Sequence, residues 1–336
     1  MATEQSDQYP LTRWYIDTRP LTSTISTLPL LETLQPADQE TVQRFYHLRD
    51  RHMSLASYLL KYLFIHRTCR IPWSTVKLSR TPAPHNRPCF IPSVSDASIP
   101  AIEFNVSHQA SLVALAGTTI SPAAVNSSAS NPISSTPSPS TYPGNTPQVG
   151  IDITCVNERR NTRSQPPPSS IPEFTSFVDI FAEVFSAREL ATIKSLHGIP
   201  PHLNTTDAKK VEYGYRLFYT YWALKEAYIK MTGEALLAPW LRQLEFTDVK
   251  VLEPAGESGD ECWNGPYTGV QTWLDGKKVE GVRVEVLAFQ EDYLIAAAAR
   301  GGGIGDGGEG RWLAMEQIDI ERDAVNGLGH KLLAIS

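Results

Sequence analysis

The residues in this chain whose types and spacing best suit them for chemistry are two carboxylates and a group of cations. In "YTYWALKEAYIKMTGEAL", residues 219 to 236, Lys225, Glu226 and Lys230 interrupt a run rich in aromatics. On a helix, Phe218, Trp222, Glu226 and Lys230 share one i+4 ridge, aromatic at one end and charged at the other, while Lys225 lies about 100° round the axis. A Glu–Lys pair at this spacing can be a surface bridge worth only about 0.2–0.5 kcal/mol. Here, however, Phe218, Tyr219, Tyr221, Trp222 and Tyr228 point in nearly every direction, so the helix is enclosed and its charges need partners or a ligand.

The second carboxylate, Asp152, sits between apolar residues in "VGIDI" at strand spacing, either on a solvated face or aimed into a cleft. If it meets Glu226, the two acids suit a hard cation such as Mg²⁺ that itself holds phosphates; without a cation they would repel. "FNVSHQ" supplies Asn105, Ser107 and His108 at a strand end, and "HNRPCF" an extended Arg87 before proline. A lone histidine is more often structural. "GGGIGDGGEG" lacks the strand-to-helix context and the lysine of a phosphate loop, and "GEALLAPW" has no nucleophile elbow.

The elements that must position these residues follow from patterning. "TVQRFYHLRDRHMSLASYLLKYLFIHRT" has apolar positions at a 3.6 period and predicts an amphipathic helix carrying Arg51. "IEFNVSHQASLVALAG" reads as strand, turn, strand, and "VGIDI" as a strand between two Ser/Pro-rich loops, one of them a disordered loop over residues 121–147. Ser186 followed by Glu189 in "VFSARE" is a capping box opening a helix. "TWLDGKKV" holds a hairpin turn at Asp275-Gly276, and "VRVEVLAFQEDYLIAAAAR" turns at Glu291-Asp292. The echo between this last hairpin and "IEFNVSHQASLVALAG" allows two similar α+β halves, which we divide as 1–148 and 149–336.

Composition bounds the function. The 336 residues can bury a substantial core, and 25 prolines, clustered in a few stretches, mark linkers. Four widely spaced cysteines, with no CxxC pair, indicate neither a zinc site nor a disulfide framework, and fit a reducing cytosol. No apolar run is long enough to span a bilayer, and the N-terminus has no basic and apolar leader. A net charge of -6 argues against nucleic acid as a partner. From Arg44 to Pro88, though, nine basic residues face the single acid Asp50, a stretch able to attract phosphates or an acidic partner, or simply a solvated face.

In their order, "RP", "FNVSHQ", "VGIDI", "VFSARE" and "WALKEAYIKMTGEAL" resemble the motif series of the 4'-phosphopantetheinyl transferases, specifically the larger Sfp-type monomers, and the Ser/Pro insertion resembles that of the fungal members. The resemblance implies an α+β fold of two similar subdomains related by a pseudo-twofold, with coenzyme A in the cleft between them. It implies transfer of the phosphopantetheine arm of coenzyme A to a serine of a carrier protein, releasing adenosine 3',5'-bisphosphate. Asp152 and Glu226 would then be Mg²⁺ ligands, and Lys225 and Lys230 would meet phosphate oxygens. Ser107, His108, Arg87 and Arg51 would hold the 3'-phosphate and adenine end. Many bacterial members carry a third acid two residues after the aspartate, where this chain has Thr154. The proton acceptor for the carrier serine is Glu226 or a metal-bound water. Partners would be carrier domains of polyketide, nonribosomal-peptide and fatty-acid synthases and of aminoadipate-reducing enzymes, met by a cytoplasmic monomer that binds neither nucleic acid nor membrane. The alternative is a coenzyme A or carrier-protein binding module that has lost catalysis.

Overall fold

The computed structural model describes residues 10–82, 86–92, 98–120, 146–157, 170–234, 238–257, 259–305, 312–320 and 322–323. In chain order the main elements are β1 (Leu11–Asp17), α1 (Arg19–Thr24), α2 (Pro36–Gln43), α3 (Leu48–Cys69), β2 (Leu78–Arg80), β3 (Pro88–Phe90), β4 (Ala101–Gln109), β5 (Leu112–Ile120) and β6 (Gln148–Cys155). They continue with α4 (Ile171–Asp179), α5 (Ala187–Lys194), α6 (Asp207–Thr232), β7 (Leu244–Thr247), β8 (Trp263–Tyr267), β9 (Gln271–Leu274), β10 (Lys277–Lys278), β11 (Val282–Phe289), β12 (Tyr293–Arg300) and β13 (Trp312–Gln317). The fold is therefore mixed, with helices packed on largely antiparallel sheets, as expected. Contacts divide it into two compact units, 1–151 with 299–336, and 152–298.

The first unit is built on a four-stranded sheet of order β13-β1-β5-β4. The expected hairpin at "SHQAS" is present: β4 and β5 pair so that Ser107 faces Ala114 and His108 faces Val113, around a turn in which Ala110 and Ser111 take φ of 48° and 75°. The apolar stripe of α3, including Leu55, Leu59 and Leu63, packs with Trp14, Ile16, Phe104, Val113 and Leu115 of the sheet. Close approach of helix to sheet requires a bare backbone at Gly117, where a Cβ would lie 2.5 Å from Phe64 Cζ. The single helix expected over "TVQRFYHLRDRH" is broken into α2 and α3 by an irregular stretch, where His47 adopts extended φ/ψ as the N-cap of α3. A boundary at 148/149 is close to the first observed division, but it leaves the C-terminal segment in the second half. In the structure β13 pairs in parallel with β1, matching Trp14 to Glu316, and so completes the first unit's sheet.

The second unit contains residues 152 to 298 of the sheet β6-β12-β11-β8, together with the three-stranded sheet β10-β9-β7. Its axis is α6, 26 residues long, opened by the Thr206 side chain accepting from Lys209 N and closed by Gly233 in the left-handed conformation at φ 83°. Most of α6 is buried, which the spread of its aromatics predicted. Phe218 packs against Phe177, Phe181 and Phe185, and stacks with Trp222. At Gly214 a Cβ would lie 2.7 Å from Phe174 Cζ, so α4 docks directly on the backbone of α6. The Asp275-Gly276 turn has both residues at positive φ, 52° and 72°, as a tight hairpin requires. Most of the Ser/Pro-rich segment expected at 121–147 lies outside the described residues.

Candidate active site

β6 alternates faces with period two, so Ile151 and Ile153 enter the core while Asp152 and Thr154 share the other face. Asp152 is only 5% exposed and both its oxygens are engaged. Thr154 Oγ1 donates to Oδ2 at 2.9 Å, and Lys230 Nζ donates to Oδ1 at 2.5 Å. Lys230 comes from the last turn of α6, one turn beyond Glu226. Burial and the nearby charge of Asp152 push the Glu226 carboxyl up to about 7, against the downward pull of Lys230. Asp152, Glu226, Lys230 and Thr154 are thus brought together within the second unit. An acid raised by burial and by a neighbouring carboxylate, beside a lysine, can accept a cation or a proton, and the lysine can move onto an anion. Among the described residues no group of three or more His, Cys, Asp or Glu could hold a metal, so any cation would draw its remaining oxygens from water and substrate, the habit of Mg²⁺.

Lys225, expected at the phosphates, is placed elsewhere. It is fully buried and bonded to Glu189 Oε2 at 2.9 Å, and it donates to the carbonyls of Leu241, at 3.0 Å, and Leu244. The correction follows from the 100° between neighbouring helix positions, which turns Lys225 into the core as Glu226 emerges. Burial pushes the Glu189 carboxyl up and the Lys225 ammonium down, each opposed by the other's charge. Glu189 also closes the predicted capping box with Ser186 and accepts from Phe246 N at 3.0 Å, so it ties α5, α6 and β7 together.

The other predicted residues belong to the first unit. Arg87 Nη2 donates to Glu103 Oε1 at 2.6 Å and to the Val149 carbonyl at 3.2 Å, while burial pushes the Glu103 carboxyl up. Asn105 Oδ1 accepts from Ile151 N at 3.1 Å, so the side chains of Arg87 and Asn105 hold the start of β6. Arg51 Nε donates to the Phe45 carbonyl at 2.6 Å. Ser107 is buried and His108 exposed, side by side on β4. Sequence reasoning missed Glu103 as the partner of Arg87 and Glu189 as the partner of Lys225. The capping box marked Glu189, but nothing local shows that its second oxygen reaches a lysine 36 residues on.

The cluster on β6 and α6, two acids and a lysine from the last turn of a long helix, is of a class that can take a cation together with a phosphate. Comparison with known proteins gives this class a name. A family described as "4'-phosphopantetheinyl transferase superfamily" matches residues 148–298, and one described as "4'-phosphopantetheinyl transferase, N-terminal" matches residues 19–120. "4'-phosphopantetheinyl transferase A" of Aspergillus fumigatus is 60% identical, covering 96% of each chain. "4'-phosphopantetheinyl transferase NpgA" of Emericella nidulans is 54% identical over 93% of this chain and 92% of its own. The human "L-aminoadipate-semialdehyde dehydrogenase-phosphopantetheinyl transferase" is 26% identical over 83% of this chain and 71% of its own. The chain belongs to the 4'-phosphopantetheinyl transferase superfamily, and its activity is the modification of carrier proteins. These relatives do not favour the non-catalytic alternative.

Proposed function

We propose that the chain moves the 4'-phosphopantetheine arm of coenzyme A to a serine of acyl or peptidyl carrier domains in a Mg²⁺-dependent reaction, with Asp152 and Glu226 as the metal-holding residues. The serine oxygen bonds to the phosphorus that carries the arm, the pyrophosphate P–O bond breaks, and adenosine 3',5'-bisphosphate leaves. The observation that carries the reading is the meeting of the buried Asp152 with Lys230, at 2.5 Å, and with the half-buried Glu226 one helical turn before that lysine. Mg²⁺ usually keeps several waters and takes one or two carboxylates plus substrate phosphates, which fits this donor set. Bound there, it would neutralise charge on the pyrophosphate. Thr154 orients Asp152 by its hydrogen bond, Lys230 offers its charge to a phosphate oxygen, and Glu226 is the carboxylate available to take the serine proton. Arg51, Arg87, Ser107 and His108 are the groups we assign to the 3'-phosphate and adenine end. An aminoadipate-reducing enzyme is the first carrier to try, by analogy with the human L-aminoadipate-semialdehyde dehydrogenase-phosphopantetheinyl transferase.

The test incubates apo carrier protein, coenzyme A and Mg²⁺ with the wild-type chain, Asp152→Ala or Glu226→Gln, and weighs the carrier. The wild type should add one phosphopantetheine, and each variant should lose most of the rate. No mass gain on any of several carriers would refute the proposed reaction. Unchanged rates in both variants would refute the metal assignment alone.

A further inference from the structure

A feature of the second unit lies apart from the acid pair and Lys230. A cavity of about 760 Å³ opens among residues that include Leu203, Tyr213, Arg216, Val249, Val251 and Leu252, a size typical of small-molecule sites. Asp152, Glu226 and Lys230 are not among its lining residues. Arg216 lies ten positions before Glu226 on α6, on the order of 15 Å along the helix.

Arg216 is 7% exposed. Its Nε donates to the Leu252 carbonyl at 2.6 Å and its Nη1 to the Glu291 carbonyl at 2.8 Å, but its Nη2 is buried without a hydrogen-bond partner among the described residues. A guanidinium donor held out of water in this way lacks an acceptor that a ligand can supply. The charge around it selects the kind of acceptor. The lining residues carry five acids, Glu212, Asp248, Glu253, Glu291 and Asp292, against three bases, Lys209, Arg216 and Lys250. Glu212, Glu291 and Asp292 act directly on the Arg216 charge. A field of this sign repels a free anion and tolerates an uncharged oxygen. Leu203, Val249 and Val251 offer an apolar wall beside the guanidinium.

We propose that this cavity is a second ligand site, separate from the reaction site, for small uncharged carboxamides whose carbonyl oxygen accepts from Arg216 Nη2 and whose apolar body lies on Leu203, Val249 and Val251. The inference is independent of the proposed metal and coenzyme A roles.

The probe is N-acetyl-L-leucinamide, titrated into the full chain with methyl-labelled leucine and valine and followed by NMR, with N-acetyl-L-leucine as its anionic counterpart. Saturable shifts should appear at the methyls of Leu203, Val249, Val251 and Leu252, with the millimolar affinity expected of so small a ligand. The anionic counterpart should bind more weakly. Arg216→Met should weaken binding about tenfold or more. Because that variant also frees two backbone carbonyls and can lose stability, Leu203→Trp supplies the second arm: it fills the cavity, should abolish the shifts, and should leave carrier modification at the wild-type rate. Absence of saturable shifts, or shifts that survive Leu203→Trp, would overturn the site. Tighter binding of the anion would overturn the assignment to uncharged carboxamides.

Discussion

Replacing Lys225 by methionine separates a structural lysine from a phosphate ligand. The side chains of Lys225 and Glu189 are 0% and 1% exposed and 2.9 Å apart, and Met keeps most of the volume of the lysine stem. Removing one member of a buried pair typically costs about 3–5 kcal/mol, because the other charge is left uncompensated. Glu189 retains donors from Ser186 N and Phe246 N, both at 3.0 Å, so the loss falls near the lower end, about 3 kcal/mol. Urea unfolding should show it as a lower midpoint with an unchanged slope. Adding Glu189→Gln removes the orphaned charge and should recover about 1 kcal/mol or more. In Lys225→Met the Glu189 carboxyl, already raised by burial, loses the cation that held it down. A folded pKa above the unfolded value gives stability that is complete below about pH 4.3 and is lost as pH rises through the folded pKa. The deficit of the variant relative to wild type should therefore shrink between pH 8 and pH 5. Wild-type stability combined with a raised KM for coenzyme A would refute this reasoning and return Lys225 to the phosphates.

Thr154→Asp places a third carboxylate beside Asp152 and Glu226. The metal-free chain should lose about 1–3 kcal/mol, and Mg²⁺ should raise its Tm more than that of wild type; equal metal responses in a thermal melt would count against a cation there. Gly214→Ala gains about 1 kcal/mol of helix propensity but forces a methyl to within 2.7 Å of Phe174 Cζ, so denaturant unfolding should show a net loss of roughly 1–2 kcal/mol. Ser186→Ala removes the side-chain acceptor of the Glu189 amide and should cost about 1 kcal/mol in the same assay.

What the sequence made legible was local. The capping box at Ser186, the turn at Asp275-Gly276 and the hairpin joining β4 to β5 each rest on residues a few positions apart, and each is present. The ridge Phe218, Trp222, Glu226, Lys230 was also readable from helix periodicity, and it does run from the core to the acid pair. Lys225 is not legible in the same way, because its neighbour in sequence, Glu226, occupies a different face and its partner on α5 is set by tertiary packing. Arg87 was similarly opaque: an extended arginine before proline says nothing of a glutamate on another strand. The sequence leaves Asp152 open between solvent and cleft. An aspartate within an apolar run marks a strand position, but only the arrival of Lys230 from α6 shows what that position faces.

The parallel pairing of β1 with β13 has a consequence for the order in which the protein takes shape. Arg13 Nε donates to the Leu313 carbonyl, 300 residues further along the chain. At roughly 5–20 residues per second, a ribosome needs on the order of 15–60 s to make that intervening length. Residues 152–298 are contiguous and can fold as they emerge, but one edge of the sheet that begins at Leu11 must wait for β13 to be synthesised. An unpaired strand edge is a template for pairing with other chains, so the edge of β1 that β13 covers is a pairing liability until residues 312–317 arrive.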